Sequence, residues 1–332
     1  MLVRDTDFLI APVNATRIEA VCGPFVLGMD RGTVQQRERA ALYAGLAAVD
    51  QDALLLAAGH DADDLLAGVH GIDAVAGYAR IVAGRTAQRL FGISGMDAPL
   101  FRDVVRAVFG HTFLNLGGDA AIEARALRAA ALMRGWFEAE IARRRQSGVP
   151  GEDMMGQLLR QGTLDDDGVR RTLSGMLVGS IDTTATCVAK ILSVMAQDSE
   201  LTERATAAEP APLYGYCLEA LRRWPHNPIL MRVAARDTML GGRRVEAGDK
   251  VIVWTQAAMQ DRKAFAQPRR MLPRAERDYL HFGSELHVCA GHDVNRWQIP
   301  LLVGRVLRRG YAIDGAMGWA GPFPDHLPIR LD

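Results

Sequence analysis

The stretch His281-Phe-Gly-Ser-Glu-Leu-His-Val-Cys289-Ala-Gly291 (HFGSELHVCAG) sets one cysteine between a histidine and two small residues, just ahead of a helical pattern that extends to about Arg309. A cysteine at a helix entrance meets free amide N–H groups and the positive end of the helix dipole, and both favour a thiolate. Gly283 and Gly291, on either side, let the backbone approach a flat ligand closely. Such a thiolate is a nucleophile or a metal ligand. The nucleophile lacks an evident base, because His287, two residues away, points elsewhere in an extended segment. Cys22, Cys187 and Cys217 have no comparable setting and read as small inert hydrophobes.

Composition removes several classes of protein. Four cysteines, far apart in 332 residues and without a CxxC pair, form neither a disulfide framework nor a zinc site, so the expected location is cytoplasmic. The apolar run at the start, MLVRDTDFLIAPVN, is too short for a signal peptide, and no membrane span is expected. Without a secretory signal, the sequon-like Asn14-Ala-Thr16 carries no weight. Lysine plus arginine equals aspartate plus glutamate at 39 each, which leaves no global field to attract nucleic acid or an anionic membrane.

Working outward from the cysteine, the dominant period is helical. The spacing of apolar residues predicts helices from about Val34 to Ala58, from Ala120 to Gln146 and from about Leu213 to Arg223, the last ending at Trp224-Pro225. Another is expected to follow the carboxylates Asp165 to Asp167 and run unbroken to about Ala196; its middle, Leu173 to Val194, is apolar nearly all round and is expected to cross the interior. Strand signals come later, with a hairpin at Met239 to Val245 around Gly241-Gly242, then Lys250 to Trp254. The last helix is expected from about Gly291 to Arg309, before a tail of turns and short strands. The expectation is a mainly α protein, residues 1–332 forming a single domain.

Two polar constellations interrupt this apolar framework. Glu219-Ala-Leu-Arg222 puts an acid and a base on one helix face, a spacing that alone usually marks a surface ion pair. The proline-bounded loop Ala264 to Met271 is placed to deliver a second arginine, Arg270, to that glutamate. On the interior helix, Gly179-Ser-Ile-Asp182-Thr183-Thr184 buries an acid and two hydroxyls, at a cost of roughly a few kcal/mol if they stay unpaired. Hydroxyls can bond back to the preceding turn, an escape less open to Asp182.

In this order and at these separations, the residues resemble the cytochrome P-450 superfamily of haem-thiolate monooxygenases, over nearly the whole chain and most specifically between Gly179 and Gly291. The resemblance implies a P-450-like helical fold with small β-sheets, reduced by the absence of the usual N-terminal helix and strands. It implies haem b (iron protoporphyrin IX) as cofactor, with Cys289 the axial ligand of the iron and Phe282 and Gly291 part of the haem-binding loop. Arg232 and His287 match positions that bind the haem propionates. Glu219, Arg222 and Arg270 match a buried triad, and Asp182 and Thr183 match the acid and alcohol that deliver protons during dioxygen activation. The implied partners are dioxygen, a hydrophobic small-molecule substrate and a ferredoxin-type electron donor, which Arg296, Arg305, Arg308 and Arg309 are placed to dock. Expected pocket residues are Phe25, Val26, Leu27, Met176, Gly179, Ile229, Leu230 and Met317 to Trp319.

The chain also departs from the family pattern. Glu285 and Ser180 stand where glycine is common, Asn295 and Gln298 replace alanine and glutamate, and Val34 and Gln36 fall where a histidine and an arginine usually face a propionate. Ser180 and Glu285 keep open a peroxide-using or hydroperoxide-rearranging haem-thiolate enzyme, and the absence of the usual N-terminal portion keeps open a non-catalytic haem-binding module of a larger assembly.

Overall fold

The computed structural model describes residues 4–93 and 95–332; Met1, Leu2 and Val3, at the start of the expected domain, lie outside the described residues. A short strand β1 (Phe8–Leu9) leads into α1 (Ala11–Cys22), α2 (Thr33–Ala47) and α3 (Gln51–Leu66). Strand β2 (Gly71–Asp73) and a π-helical turn at Ala74–Ala79 precede α4 (Arg80–Phe91) and α5 (Ala98–Phe109). A second π turn, Gly110–Leu114, is followed by α6 (Ala120–Ser147), α7 (Met154–Gln161), α8 (Asp166–Ser180), α9 (Asp182–Met195), α10 (Ser199–Thr206) and α11 (Pro210–Arg223). Then come β3 (Leu230–Ala234), β4 (Thr238–Leu240), β5 (Arg243–Val245), β6 (Lys250–Val253) and α12 (Thr255–Ala258). The chain ends with α13 (His292–Arg309), β7 (Tyr311–Ile313), β8 (Gly318–Ala320), β9 (Phe323–His326) and β10 (Pro328–Leu331). The expected mainly helical fold with small sheets is what forms.

Aspartate sets six of the helix starts. Asp50, Asp97, Asp119, Asp153, Asp165 and Asp198 each accept a backbone N–H from the first turn of the helix they precede. Each such cap is worth about 1 kcal/mol. The cap at Asp50 explains one departure from expectation: the helix predicted over Val34 to Ala58 is two helices, α2 and α3, meeting at 66°. The interior helix is likewise two. It breaks at Ile181 (φ −99°, ψ −65°), so that Asp182 opens α9 rather than sitting mid-helix.

That break falls at the junction of two cores. Leu173 and Leu177 of α8 are fully buried in a cluster with α1, α2 and α4 to α7, whereas Val188, Ile191 and Leu192 of α9 are fully buried in a second with α3, α11, α13 and β10. Trp297 of α13 packs against both. Together α8 and α9 are long and apolar enough to cross a membrane, but 72% of the most apolar stretch is buried inside the protein, as a core helix requires. The sheets are small: β1-β3-β6 and β2-β10-β7 have three strands each, and β4-β5 and β8-β9 are hairpins. At the first hairpin Gly241 and Gly242 both take positive φ (57° and 81°), as a two-residue turn matching strand twist demands.

Candidate functional site

The cysteine loop is held from both ends. Cys289 N donates to Phe282 O (2.8 Å), and Gly283 between them takes φ +74°, where an added Cβ would lie 2.8 Å from His287 O. Helix α2 buttresses the loop: Tyr43 OH donates to Val288 O (3.0 Å) and Arg39 to Glu285 O (3.2 Å). Glu285 adopts φ +52°, a left-handed conformation that glycine takes with less strain. Phe282 meets His292, the first residue of α13, edge to face at 4.8 Å. Cys289 is half-buried; burial pushes its thiol above the ordinary value, while an N–H from Gly291 pulls the other way. Helix entrance alone therefore does not leave a free thiolate here. A coordinated metal cation would, since coordination removes the thiol proton.

Beside the loop lie two donors without acidic partners. Arg232 is 5% exposed, yet among the described residues its guanidinium bonds only the carbonyl of Met231 (2.8 Å). His287 Nδ1 is buried without a partner among the described residues, and burial, reinforced by Arg232, lowers its affinity for a proton. Asp30 is near enough to counter the burial of Arg232, but its Oδ1 is occupied by the amides of Ile10 (2.6 Å) and Ala11 (3.2 Å) at the start of α1. A buried guanidinium and an orphaned imidazole nitrogen suit a carboxylate-bearing ligand, and a sulfur between glycines suits its flat, metal-centred body. The chemistry of these residues fits a haem group.

The Glu219–Arg222 pair is no surface contact. Both side chains are fully buried and joined by two hydrogen bonds (3.0 and 2.8 Å). Arg222 also donates to the carbonyls of Met259, Pro268 and Arg270, and Tyr279 OH donates to Glu219 (2.7 Å). The expected second arginine is corrected. Arg270 contributes only its carbonyl to Arg222 while its side chain turns to Gln267 (3.3 Å), and Arg274, four residues on, lies 3.7 Å from Glu219. Sequence reading also missed Tyr279, whose hydroxyl at once serves Glu219 and accepts the Arg274 amide (3.0 Å).

On α9, Asp182 is 3% exposed and its Oδ1 accepts from Arg80 (2.8 Å) and Arg106 (2.7 Å). Both arginines also reach Asp325 Oδ1, at 2.6 and 2.8 Å. Four charges thus close a ring of two acids and two bases drawn from α4, α5, α9 and β9. Its bonded pairs lie 76 to 245 positions apart, so no local pattern announced it. Among the described residues Asp182 Oδ2 has no partner, and a cavity of about 80 Å³ runs past Asp182, Thr186, Phe109 and Phe323 to Asp325. Thr183 and Thr184 bond back to the carbonyls of Gly179 and Ser180, as the preceding turn allows. The Gly179 face is open, with no atom within 4 Å of an added Cβ.

Other expected residues divide. Phe25 and Val26 are core, the Phe25 ring filling the space over Gly175, and Met176 packs in the same cluster. Ile229 and Trp319 are exposed, and Trp319 lies 5.8 Å from Trp224. Of the basic residues assigned to docking, Arg305 pairs with Asp63, Arg309 with the carbonyls of Leu66 and Val69, and Arg296 with Glu276.

Comparison with known proteins bears on this arrangement. The sequence profile of the cytochrome P450 family matches residues 214–309, the segment from the buried Glu219–Arg222 pair through the cysteine loop to the end of α13. These matches support membership of the cytochrome P-450 superfamily. Nocardicin C N-oxygenase of Nocardia uniformis subsp. tsuyamanensis is 29% identical over 71% of this chain and 58% of its own length. Cyclooctat-9-en-7-ol 5-monooxygenase of Streptomyces melanosporofaciens is 29% identical over 55% and 47%. The chain therefore spans about half the length of the curated P-450 relatives it matches. Its fold follows that of CalO2 with a TM-score of 0.86 at 22% identity, covering 100% of this chain and 88% of that one. Against CYP109E1 from Bacillus megaterium in complex with testosterone, the TM-score is 0.83 at 18% identity, covering 99% and 89%. P-450 membership implies a haem cofactor.

Proposed function

We propose that residues 1–332 work as one cytoplasmic, haem b-binding domain that inserts oxygen from dioxygen into a hydrophobic small molecule, using electrons from a ferredoxin-type protein. The observation that carries the reading is the amide-cradled Cys289 beside Arg232 and His287, two donors lacking the acid that propionates would provide. When bound, a thiolate-ligated haem supplies an oxidant strong enough to attack C–H bonds. The chain's own residues do the rest. Arg232 and His287 orient the group by its acidic edge, and the loop from Phe282 to Gly291 excludes water from the sulfur.

Asp182 and Thr183 handle protons. The Thr183 hydroxyl, which donates to Gly179 O in the resting fold, would turn from that carbonyl to give up its own proton and take up another from the carboxyl side. Asp182, with one oxygen locked by two arginines and the other free, is placed to carry that proton from the cavity leading to Asp325. The likeness to a testosterone-bound relative supports an apolar substrate.

The test is the ferrous carbon monoxide spectrum, because thiolate ligation red-shifts the Soret band. Wild-type protein is expected to show that band and Cys289→Ser to lose it, while serine at Cys22, Cys187 or Cys217 leaves it in place. Retention in Cys289→Ser would overturn the reading.

A further inference from the structure

Lys190 on α9 has no part in the function argued above, and its setting is a costly one. It is 2% exposed, no carboxylate among the described residues pairs with its ammonium, and burial pushes that ammonium down to about 8. An apolar side chain of similar volume avoids such a cost. What the ammonium holds is backbone: it donates to Pro225 O (2.9 Å) and His226 O (3.3 Å), with the Trp224 ring 5.6 Å away. These carbonyls open the turn from Pro225 to Pro228 that joins α11 to β3. Its two prolines bring no N–H, and among the described residues no backbone hydrogen bond closes the turn on itself. The other two carbonyls also bond outward. Asn227 O and Pro228 O share the Thr255 hydroxyl (3.0 Å to each), and Gln256 N donates to Pro228 O (3.1 Å). The shape of the turn is therefore imposed from two sides.

Those two sides differ in what they tie together. Thr255 opens α12 just after β6, which pairs with β3 so that Arg232 lies opposite Val251; its bonds join the turn to its own sheet. Lys190 joins the turn to the helix that also bears Thr183. After the turn only Ile229 precedes β3, and β3 carries Arg232. We propose that Lys190 is a positioning residue that fixes, through the Pro225–Pro228 turn, where β3 places Arg232 relative to α9. The proposal rests on the reading above in which Arg232 holds the acidic edge of haem. A charge-assisted hydrogen bond to a carboxylate is short and directional, so a strand that drifts with its sheet weakens the grip.

The experiment is a double-substitution cycle read by the rate at which haem passes from the loaded protein to excess apomyoglobin. Lys190→Met keeps an unbranched stem and removes the donors, and Arg232→Leu removes the guanidinium. Lys190→Met alone is expected to speed haem loss about threefold or more, and to add nothing in an Arg232→Leu background, because an absent arginine cannot be misplaced. Lys190→Gln, too short to reach the two carbonyls, carries the same cycle if the methionine protein does not fold. An unchanged rate of haem loss, or the same acceleration with and without Arg232, overturns the proposal. A wild-type rate in Arg232→Leu alone overturns instead the assignment of Arg232 to the haem edge, which keeps that failure distinct from this one.

Discussion

Single residues around the two sides of the site differ in how firmly the surrounding chain fixes them. Cys289 is pinned by backbone bonds at both ends of its loop, so its placement depends little on any one side chain. Thr183 depends on one: its hydroxyl bonds Gly179 O at the break between α8 and α9, beside the Ile181 kink. If protons reach dioxygen through this hydroxyl, Thr183→Ala is expected to leave reductant consumption nearly intact while product falls several-fold and hydrogen peroxide rises. Oxidation driven by added peroxide is expected to persist, since peroxide brings its own protons and electrons. The measurement is product formed per reductant consumed. An unchanged ratio in Thr183→Ala moves the assignment to an enzyme that uses peroxide. Asp182 is better defended, because replacing it leaves Arg80, 6% exposed, with Asp325 as its remaining acid.

Elements show where packing, rather than sequence period, chose the partners. In α11, Glu219 and Arg222 are fully buried, and removing one member of such a pair strands a charge at a cost of about 3 to 5 kcal/mol. Glu219→Ala is therefore expected to lower the urea unfolding free energy by that amount or to prevent recovery of folded protein. Arg274→Ala is expected to cost less, roughly 1 kcal/mol, as its contact with Glu219 is longer, and Arg270→Ala close to nothing. An Arg270→Ala variant as unstable as Arg274→Ala would contradict the observed triad. Sequence spacing showed that Glu219 wanted basic neighbours but not which loop arginine turned inward, because that depends on a carbonyl of Arg270 aimed at Arg222. The long helix α6, the hairpin at Gly241-Gly242 and the helix after Cys289 were legible for the opposite reason: period, turn chemistry and caps are local. The breaks at Val49 and Ile181 were not. An aspartate cap at Asp50 looks like any surface acid, and Ile181 continues an apolar run until two separate cores pull α8 and α9 apart.

Across the whole molecule, net charge is zero by formal count, and two buried histidines add a dependence of stability on pH near neutrality. Burial, with Lys190 beside it, pushes His226 down to about 3, and burial pushes His281, whose Nε2 meets Leu218 O, down to about 4. The unfolded chain takes up a proton at each near pH 6.5, while the folded one does not until far lower. Stability is thus complete above about pH 6.5 and falls as pH drops toward 4, by roughly 2 kcal/mol for each histidine at pH 5. His226 allows this to be isolated, because its ring stacks on Phe323 at 4.8 Å and its Nδ1 makes no bond, so phenylalanine keeps the stack and loses the titration. His226→Phe is expected to match wild type in urea unfolding at pH 8 and to exceed it by roughly 2 kcal/mol at pH 5. Parallel pH dependence in the two proteins would show that His226 does not stay neutral in the fold. It would also remove the reason for Lys190, buried on α9 with its ammonium held by the carbonyls of Pro225 and His226, to have a neutral ring as neighbour.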